Sequence, residues 1–268
     1  MSAVRLRFRE ATSLPVDASP LLPRALAGRS AAELAALPLR VGNRVVPLGE
    51  LAEIEPGDAD TLVIEASFKG LDRLGRGMAG GRLEIYGDVG AYLGQEMRDG
   101  RIELFGSAGP FAAAGMAGGI LHVTARAGDH LGGALPGDSH GMTGGAVLVG
   151  GDAGKRVGDR MRRGLIAVAG RLGDFPASRL IGGTIIGLEG CGREPGHAMR
   201  RGTLLLGRAP SRLPVTFADN GTHTFPWLSL LARHLATLTP AIALPGDRAT
   251  RWTGCASTGG KGEILVMA

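Results

Sequence analysis

Met78-Ala79-Gly80-Gly81-Arg82-Leu83-Glu84-Ile85-Tyr86-Gly87 is the stretch on which the fold turns, because its spacing recurs down the chain. The mark at Met78 returns at Met97, Met116, Met142, Met161, Leu180 and Met199, at intervals of 19, 19, 26, 19, 19 and 19 residues. Three residues after each mark stands a glycine: Gly81, Gly100, Gly119, Gly145, Gly164, Gly183 and Gly202. Five after it stands an aliphatic residue: Leu83, Ile102, Leu121, Val147, Ile166, Ile185 and Leu204. Seven after it come Ile85, Leu104, Val123, Val149, Val168, Gly187 and Leu206, aliphatic in all but one. Gly90, Gly109, Gly128, Gly154, Gly173 and Gly192 follow at twelve. A fixed period with several matching columns is the signature of a repeat architecture.

Positions five and seven flank position six (Glu84, Glu103, His122), an alternation that predicts strands with one buried face. Nineteen residues are too few for a βαβ crossover, which takes roughly 30. The expected fold is therefore all-β, a right-handed parallel β-helix of about seven coils whose strands stack about 4.8 Å apart. Glycines mark corners where φ is positive or backbones approach closely. Methionines line the inside as a flexible column. The third repeat carries seven extra residues, Leu135 to Gly141, which must loop outwards if register is to survive.

Outside the repeat, Val4 to Phe8 reads as a strand, and a helix is expected from Ser30, with Glu33 completing a capping box. Leu62, Val63 and Ile64 give a first imperfect strand, Trp227 to Leu238 an amphipathic helix, and the tail from Gly259 to Val266 a return to strand. The expected division is an N-terminal cap over 1–58, the repeat over 59–207 and a C-terminal cap over 208–268.

Composition narrows function. Glycine makes up 46 of 268 residues without a G-X-Y period, which excludes collagen, and 44% hydrophobic residues argue against disorder. The net charge of +5 is carried by 27 arginines against 3 lysines, with no aromatic-basic module for nucleic acid. Two cysteines, Cys191 and Cys255, cannot frame a disulfide scaffold, an iron–sulfur cluster or a thiolate zinc site. The N-terminus has no apolar signal-peptide core and no segment reaches 18 apolar residues, so a cytoplasmic chain without membrane contact is expected.

Groups that converge for chemistry are scarce. His122, at an outward strand position, is expected at the surface. His130 and His140 form at most a two-histidine metal site without a third ligand, and His197, His223 and His234 are scattered. Cys191 shares a column with Val89, Ala108, Ala127, Ala153 and Leu172 and reads as a small core residue. No helix follows the glycines to bind a dinucleotide, and no G-x-S-x-G is present. One cluster stands out. Arg162 and Arg163 occupy the two positions after a mark, and Arg200 and Arg201 occupy the same columns two repeats later, about 10 Å away. With Arg156, Arg160, Arg179 and Arg193 nearby, this corner is either a solvated basic face or a site for an acidic partner or polyanionic coenzyme tail.

The run Leu74-Gly75-Arg76-Gly77-Met78-Ala79-Gly80-Gly81, the repeat to Gly207 and the Gly259-Gly260-Lys261-Gly262-Glu263-Ile264-Leu265-Val266 tail resemble the C subunit of formylmethanofuran dehydrogenase. They are more similar to its bacterial counterpart in the formyltransferase/hydrolase complex, and the repeat is also similar to the GXGXG domain of glutamate synthase. The resemblance implies a structural, non-catalytic component. Its complex converts formyl-tetrahydromethanopterin through a methanofuran-type (methylofuran) coenzyme to formate, in formaldehyde oxidation. An amidohydrolase-like hydrolase with its own metal, a formyltransferase and a further subunit would be the partners. Alternatives are the C subunit of the molybdenum or tungsten dehydrogenase, a glutamate-synthase-like repeat protein, and a free-standing acyl-transferring or hydrolysing enzyme. No cofactor is assigned to this chain by the resemblance; glutamyl tails on the furan coenzymes suit the arginine corner.

Overall fold

The computed structural model describes residues 2–9, 14–238 and 242–268. Most ordered structure is β, dominated by one parallel-rich sheet of thirteen strands among the described residues. Its middle is built from the repeats. Strands Ala79–Gly87, Asp99–Phe105, Ile120–Val123, Ala146–Val149, Leu165–Val168, Thr184–Gly187 and Arg201–Leu206 pair in parallel, each with the next. The fifth-position column is in register throughout, from Leu83 opposite Ile102 to Ile185 opposite Leu204. The 26-residue step leaves it intact: Leu121 faces Val147, and Pro136 to Ser139 project as an exposed loop.

Both ends of the parallel block are extended by chain from outside the repeat. Thr61–Ser67 and then Val4–Phe8 continue the columns at one end, placing Leu62 and Val4 in line with Leu83. Lys261–Met267 lies parallel to Arg201–Leu206 at the other, with Ile264 opposite Leu204. Antiparallel strands finish the edges: Ala52–Glu55 on one side, Arg248–Gly254 and Ala218–Thr224 on the other. A four-stranded sheet (Arg44–Pro47, Pro38–Val41, Val16–Asp17, Leu71–Asp72) and short helices, including Ala31–Ala35 with the Ser30–Glu33 capping box, complete the N-terminal part. No helix among the described residues is long and apolar enough to cross a membrane.

Packing explains the columns. All seven third-position glycines have positive φ, between 81° and 105°. A Cβ on Gly100, Gly119, Gly145, Gly164 or Gly183 would lie 2.6–2.9 Å from the methyl of the methionine one repeat earlier. Each thioether therefore fills the space that a side chain at the next glycine would need. Gly187, the exception in the aliphatic seventh column, is matched by Leu172, whose Cδ1 would meet a Cβ there at 2.7 Å.

A second ladder runs through Ala108, Ala127, Ala153, Leu172 and Cys191 in parallel bridges, so the repeats pair away from the main strands too. Aspartates link them further: Asp88 accepts from the Ser107 amide, Asp129 from Lys155, Asp152 from Arg171 and Asp174 from Arg193. Fourteen residues after each of the first six marks the backbone is left-handed without being glycine, at Tyr92, Phe111, His130, Arg156, Phe175 and Glu194, and Arg73 shares the column. In six of these seven the amide points to the following repeat. Arg73, Tyr92, Phe111, His130, Arg156 and Phe175 donate to the carbonyls of Ala91, Pro110, Asp129, Lys155, Asp174 and Arg193 at 2.8–2.9 Å. Their flat side chains stack: Arg73 on Tyr92, Tyr92 on Phe111, Phe111 on His130, and Arg156 on Phe175.

The expectation that one strand face is exposed needs correction. The sixth column begins with Glu84 and Glu103 but continues with Leu148, Ala167, Ile186, Leu205 and Leu265, all buried. Leu228, Leu235 and Leu238, from the helix Pro226–Thr237 and its C-cap, belong with them to a second apolar core. His122 stands at the boundary and is buried rather than at the surface, its Nε2 without a partner among the described residues. Burial pushes its imidazole below the ordinary range, against the opposing pull of the Glu103 carboxylate, with Arg101 adding to the depression. The unfolded chain then binds this proton more tightly than the folded one. Stability due to neutral His122 is complete above the unfolded value near 6.5 and is lost as pH falls towards the lower folded value. His122→Leu is expected to flatten stability between about pH 7 and about pH 5 in urea titrations; an unchanged acid slope would refute this.

Candidate functional site

Arg162 and Arg163 lie in the bend leading to Leu165–Val168, and at the equivalent place two strands on Arg200 precedes and Arg201 opens the strand Arg201–Leu206, with Ile181 and Gly182 between them. All four arginines are exposed. None of them ion-pairs with a carboxylate among the described residues; Arg162 Nη1 sits 3.5 Å from His140 Nε2.

The flanking arginines are occupied. Arg179 grips Asp159, a carboxylate only 2% exposed, through Nε at 2.9 Å and Nη2 at 2.5 Å. Arg193 binds Asp174 through both its amide and its guanidinium, which hold that carboxyl below its usual range. Arg160 donates to the Asp138 carbonyl at 2.7 Å and so ties down the inserted loop, while Arg156 covers the Phe175 ring. The corner thus separates into arginines that hold the structure and four free to meet a ligand. A cavity of about 390 Å3 lies beside them, lined by Ser139 of the inserted loop, Arg160, Arg179, Ile181, Ala198, Arg200 and Thr258.

Sequence reasoning missed one member of the cluster. Lys261 pairs in register with Arg201 and extends its column; the Gly-Lys-Gly of the tail was its only signal. His130 is committed to the Phe111 stack and His140 to Arg162 and Ser139, and no group of three or more metal-ligating side chains gathers among the described residues.

Relatives give this arrangement a context. A chain of the crystal structure of the formyltransferase/hydrolase complex (FhcABCD) from Methylorubrum extorquens in complex with methylofuran superposes with a TM-score of 0.90. It is 39% identical, over 98% of this chain and 99% of that one. The Fhc C subunit of the formyltransferase/hydrolase complex of Methylorubrum extorquens is 42% identical over 271 residues, covering both chains entirely. The chain belongs to the family of formyltransferase/hydrolase complex C subunits. The C subunit of tungsten-containing formylmethanofuran dehydrogenase 2 of Methanothermobacter marburgensis is 32% identical over 98 residues, 35% of this chain and 36% of that one. No family model matches.

This member of the Fhc family has two thiols with opposite characters. Cys191, in the Ala108–Leu172 ladder as expected, is buried, and burial pushes its thiol up to about 12. At Cys255 burial also pushes upward, but hydrogen bonds with the Ser257 and Thr216 hydroxyls and with the backbone at Ser257 and Ala198 outweigh it and bring the thiol below its ordinary value. Its Sγ is 2.8 Å from Ser257 Oγ and 3.2 Å from Thr216 Oγ1. Iodoacetamide should therefore label Cys255 well before Cys191 in the folded chain. Equal labelling rates, read by peptide mass spectrometry, would contradict the assignment.

Proposed function

We propose that this chain is the non-catalytic C subunit of a cytoplasmic formyltransferase/hydrolase complex. The reading is carried by the full-length likeness to the Fhc C subunit, 42% identical across both chains. Partner subunits perform formyl transfer and metal-dependent hydrolysis, taking formyl-tetrahydromethanopterin through a methylofuran-type coenzyme to formate. The tungsten-dehydrogenase relative matches only about a third of the chain, which favours the hydrolytic complex.

In this reading residues 59–207 wind as a right-handed parallel β-helix between an N-terminal cap, 1–58, and a C-terminal cap, 208–268. The in-register parallel strands and the separate ladder through Ala108 and Cys191 support coiling. Handedness follows from the strong right-handed bias of connections between parallel strands. The scaffold presents Arg162, Arg163, Arg200 and Arg201 to a partner's acidic patch or the glutamyl tail of the coenzyme. Unpaired guanidiniums fit carboxylates bidentately without first breaking internal ion pairs.

The test is affinity purification of the native chain with identification of what accompanies it. A formyltransferase and an amidohydrolase-like protein are expected. In a variant with all four arginines changed to serine, coenzyme content or complex recovery should fall about tenfold or more, equivalent to about 1.4 kcal/mol. Recovery of neither partner would refute the assembly. Unchanged recovery and coenzyme content in the variant would refute the arginine assignment.

A further inference from the structure

The forward-pointing amides described above reach an end. The seventh member of that column, Glu194, has φ 54° like its predecessors, yet the carbonyl of Arg212, nineteen residues after Arg193, does not accept from it, and its amide has no partner among the described residues. A second forward amide lies four residues further along most of the repeats. Glu96 donates to Ala114, Arg160 to Ser178 and Arg179 to His197, and the last in this series, Ala198, turns instead to the sulfur of Cys255. On the strand side Lys261–Met267 supplies the next strand. The final repeat is thus completed in two places and left open at the third.

A cavity of about 610 Å3 occupies that opening, bordered by Glu194, His197, Leu213, Pro214, Val215 and Cys255. Val215 is 84% exposed. We propose that an extended main-chain segment of another subunit lies here in place of the stretch that the Met199 repeat does not supply. Its carbonyl would accept from the Glu194 amide, and its apolar side chains would cover Leu213 and Val215. A peptide carbonyl is what each of the six preceding equivalents pairs with. Pairing across an open edge gives affinity through main-chain hydrogen bonds, and pockets for alternate side chains give specificity.

This inference rests on the assembly reading above, and its test keeps the two apart. Hydrogen exchange at single-residue resolution is measured on the purified full chain and on the co-purified complex. In the chain alone, Glu194 should exchange far faster than Phe175 or Arg156. In the complex its exchange should slow by about a hundredfold, and alkylation of Cys255 should slow with it. Val215→Asp, placed on an exposed side chain so that folding is spared, should abolish the Glu194 protection and loosen the complex about tenfold. A complex recovered in full with Glu194 still exchanging freely overturns the inference and leaves the assembly reading standing. Protection of Glu194 already present in the free chain overturns it as well. Failure to recover any partner removes both.

Discussion

Gly164→Ala is expected to lower the stability of the chain by about 3 kcal/mol, combining a left-handed backbone penalty of about 1–2 with overpacking of about 1–3. Gly164 has φ +105°, where an L side chain is strained whatever space surrounds it. A Cβ there would also stand 2.8 Å from the Gly145 carbonyl oxygen and 2.9 Å from Met142 Cε. The second contact can be relieved by a rotamer change, because a thioether is flexible. The first cannot, because the oxygen belongs to the neighbouring backbone and the Gly145 carbonyl is already accepting the Leu165 amide at 3.0 Å. For that reason Met142→Ala added to Gly164→Ala should not restore stability. Gly246→Ala, with no atom within 4 Å of the new methyl, is the matched control. Urea unfolding of the three variants decides the matter: equal midpoints for Gly164→Ala and Gly246→Ala would mean that the bends are not tightly packed.

Leu235→Asp should cost about 3–4 kcal/mol and detach the helix Pro226–Thr237, since leaving the core is cheaper than burying an unpaired carboxylate. Leu235 is fully buried in the same core as Ile186, Leu205 and Leu265. Once the helix lifts, that apolar column faces water, and self-association should follow. Leu230→Asp on the same helix is the control; Leu230 is 61% exposed and its replacement should change stability by less than about 0.5 kcal/mol. Light scattering that finds both variants monomeric and equally stable would show that the helix does not cover the sheet.

These two sites also show what the amino-acid order reveals and what it leaves out. Gly164 is legible because glycine and methionine recur at fixed offsets, and only a backbone bend packed on a neighbouring side chain explains that pairing. The strand positions, the in-register insertion, the Ser30–Glu33 cap and a terminal strand in the tail follow from the same arithmetic or from local signals, although the strand starts at Lys261 rather than Gly259. The reading of His122 as a surface residue fails because it weighs only the polar start of the sixth column. Leu148, Ala167, Ile186 and Leu205 in that column carry the signal that something covers the sheet, although not what. The left-handed column from Arg73 to Glu194 leaves no trace in composition: two cations, two phenyl rings, a phenol, an imidazole and a carboxylate share a backbone conformation that the repeat imposes on them.

The arginine corner is half legible. Column counting brings Arg162 and Arg163 near Arg200 and Arg201. Which arginines stay unpaired depends on Asp159 and Asp174 reaching across a repeat, and that is a matter of side-chain placement. Asp174 stands 19 residues before Arg193, so its spacing offered a hint; Asp159 and Arg179 are 20 apart and offered none.

Seating each sulfur beneath a neighbouring bend links this molecule's tolerance of peroxide to how often it breathes. Met97, Met116, Met142, Met161 and Met199 are sealed from solvent in the closed form, so an oxidant reaches them only during transient opening. An added sulfoxide oxygen would be polar and too large for the seat, and could not be re-enclosed. A single oxidation would therefore propagate mechanically to the layer above, and the damage would spread along the column.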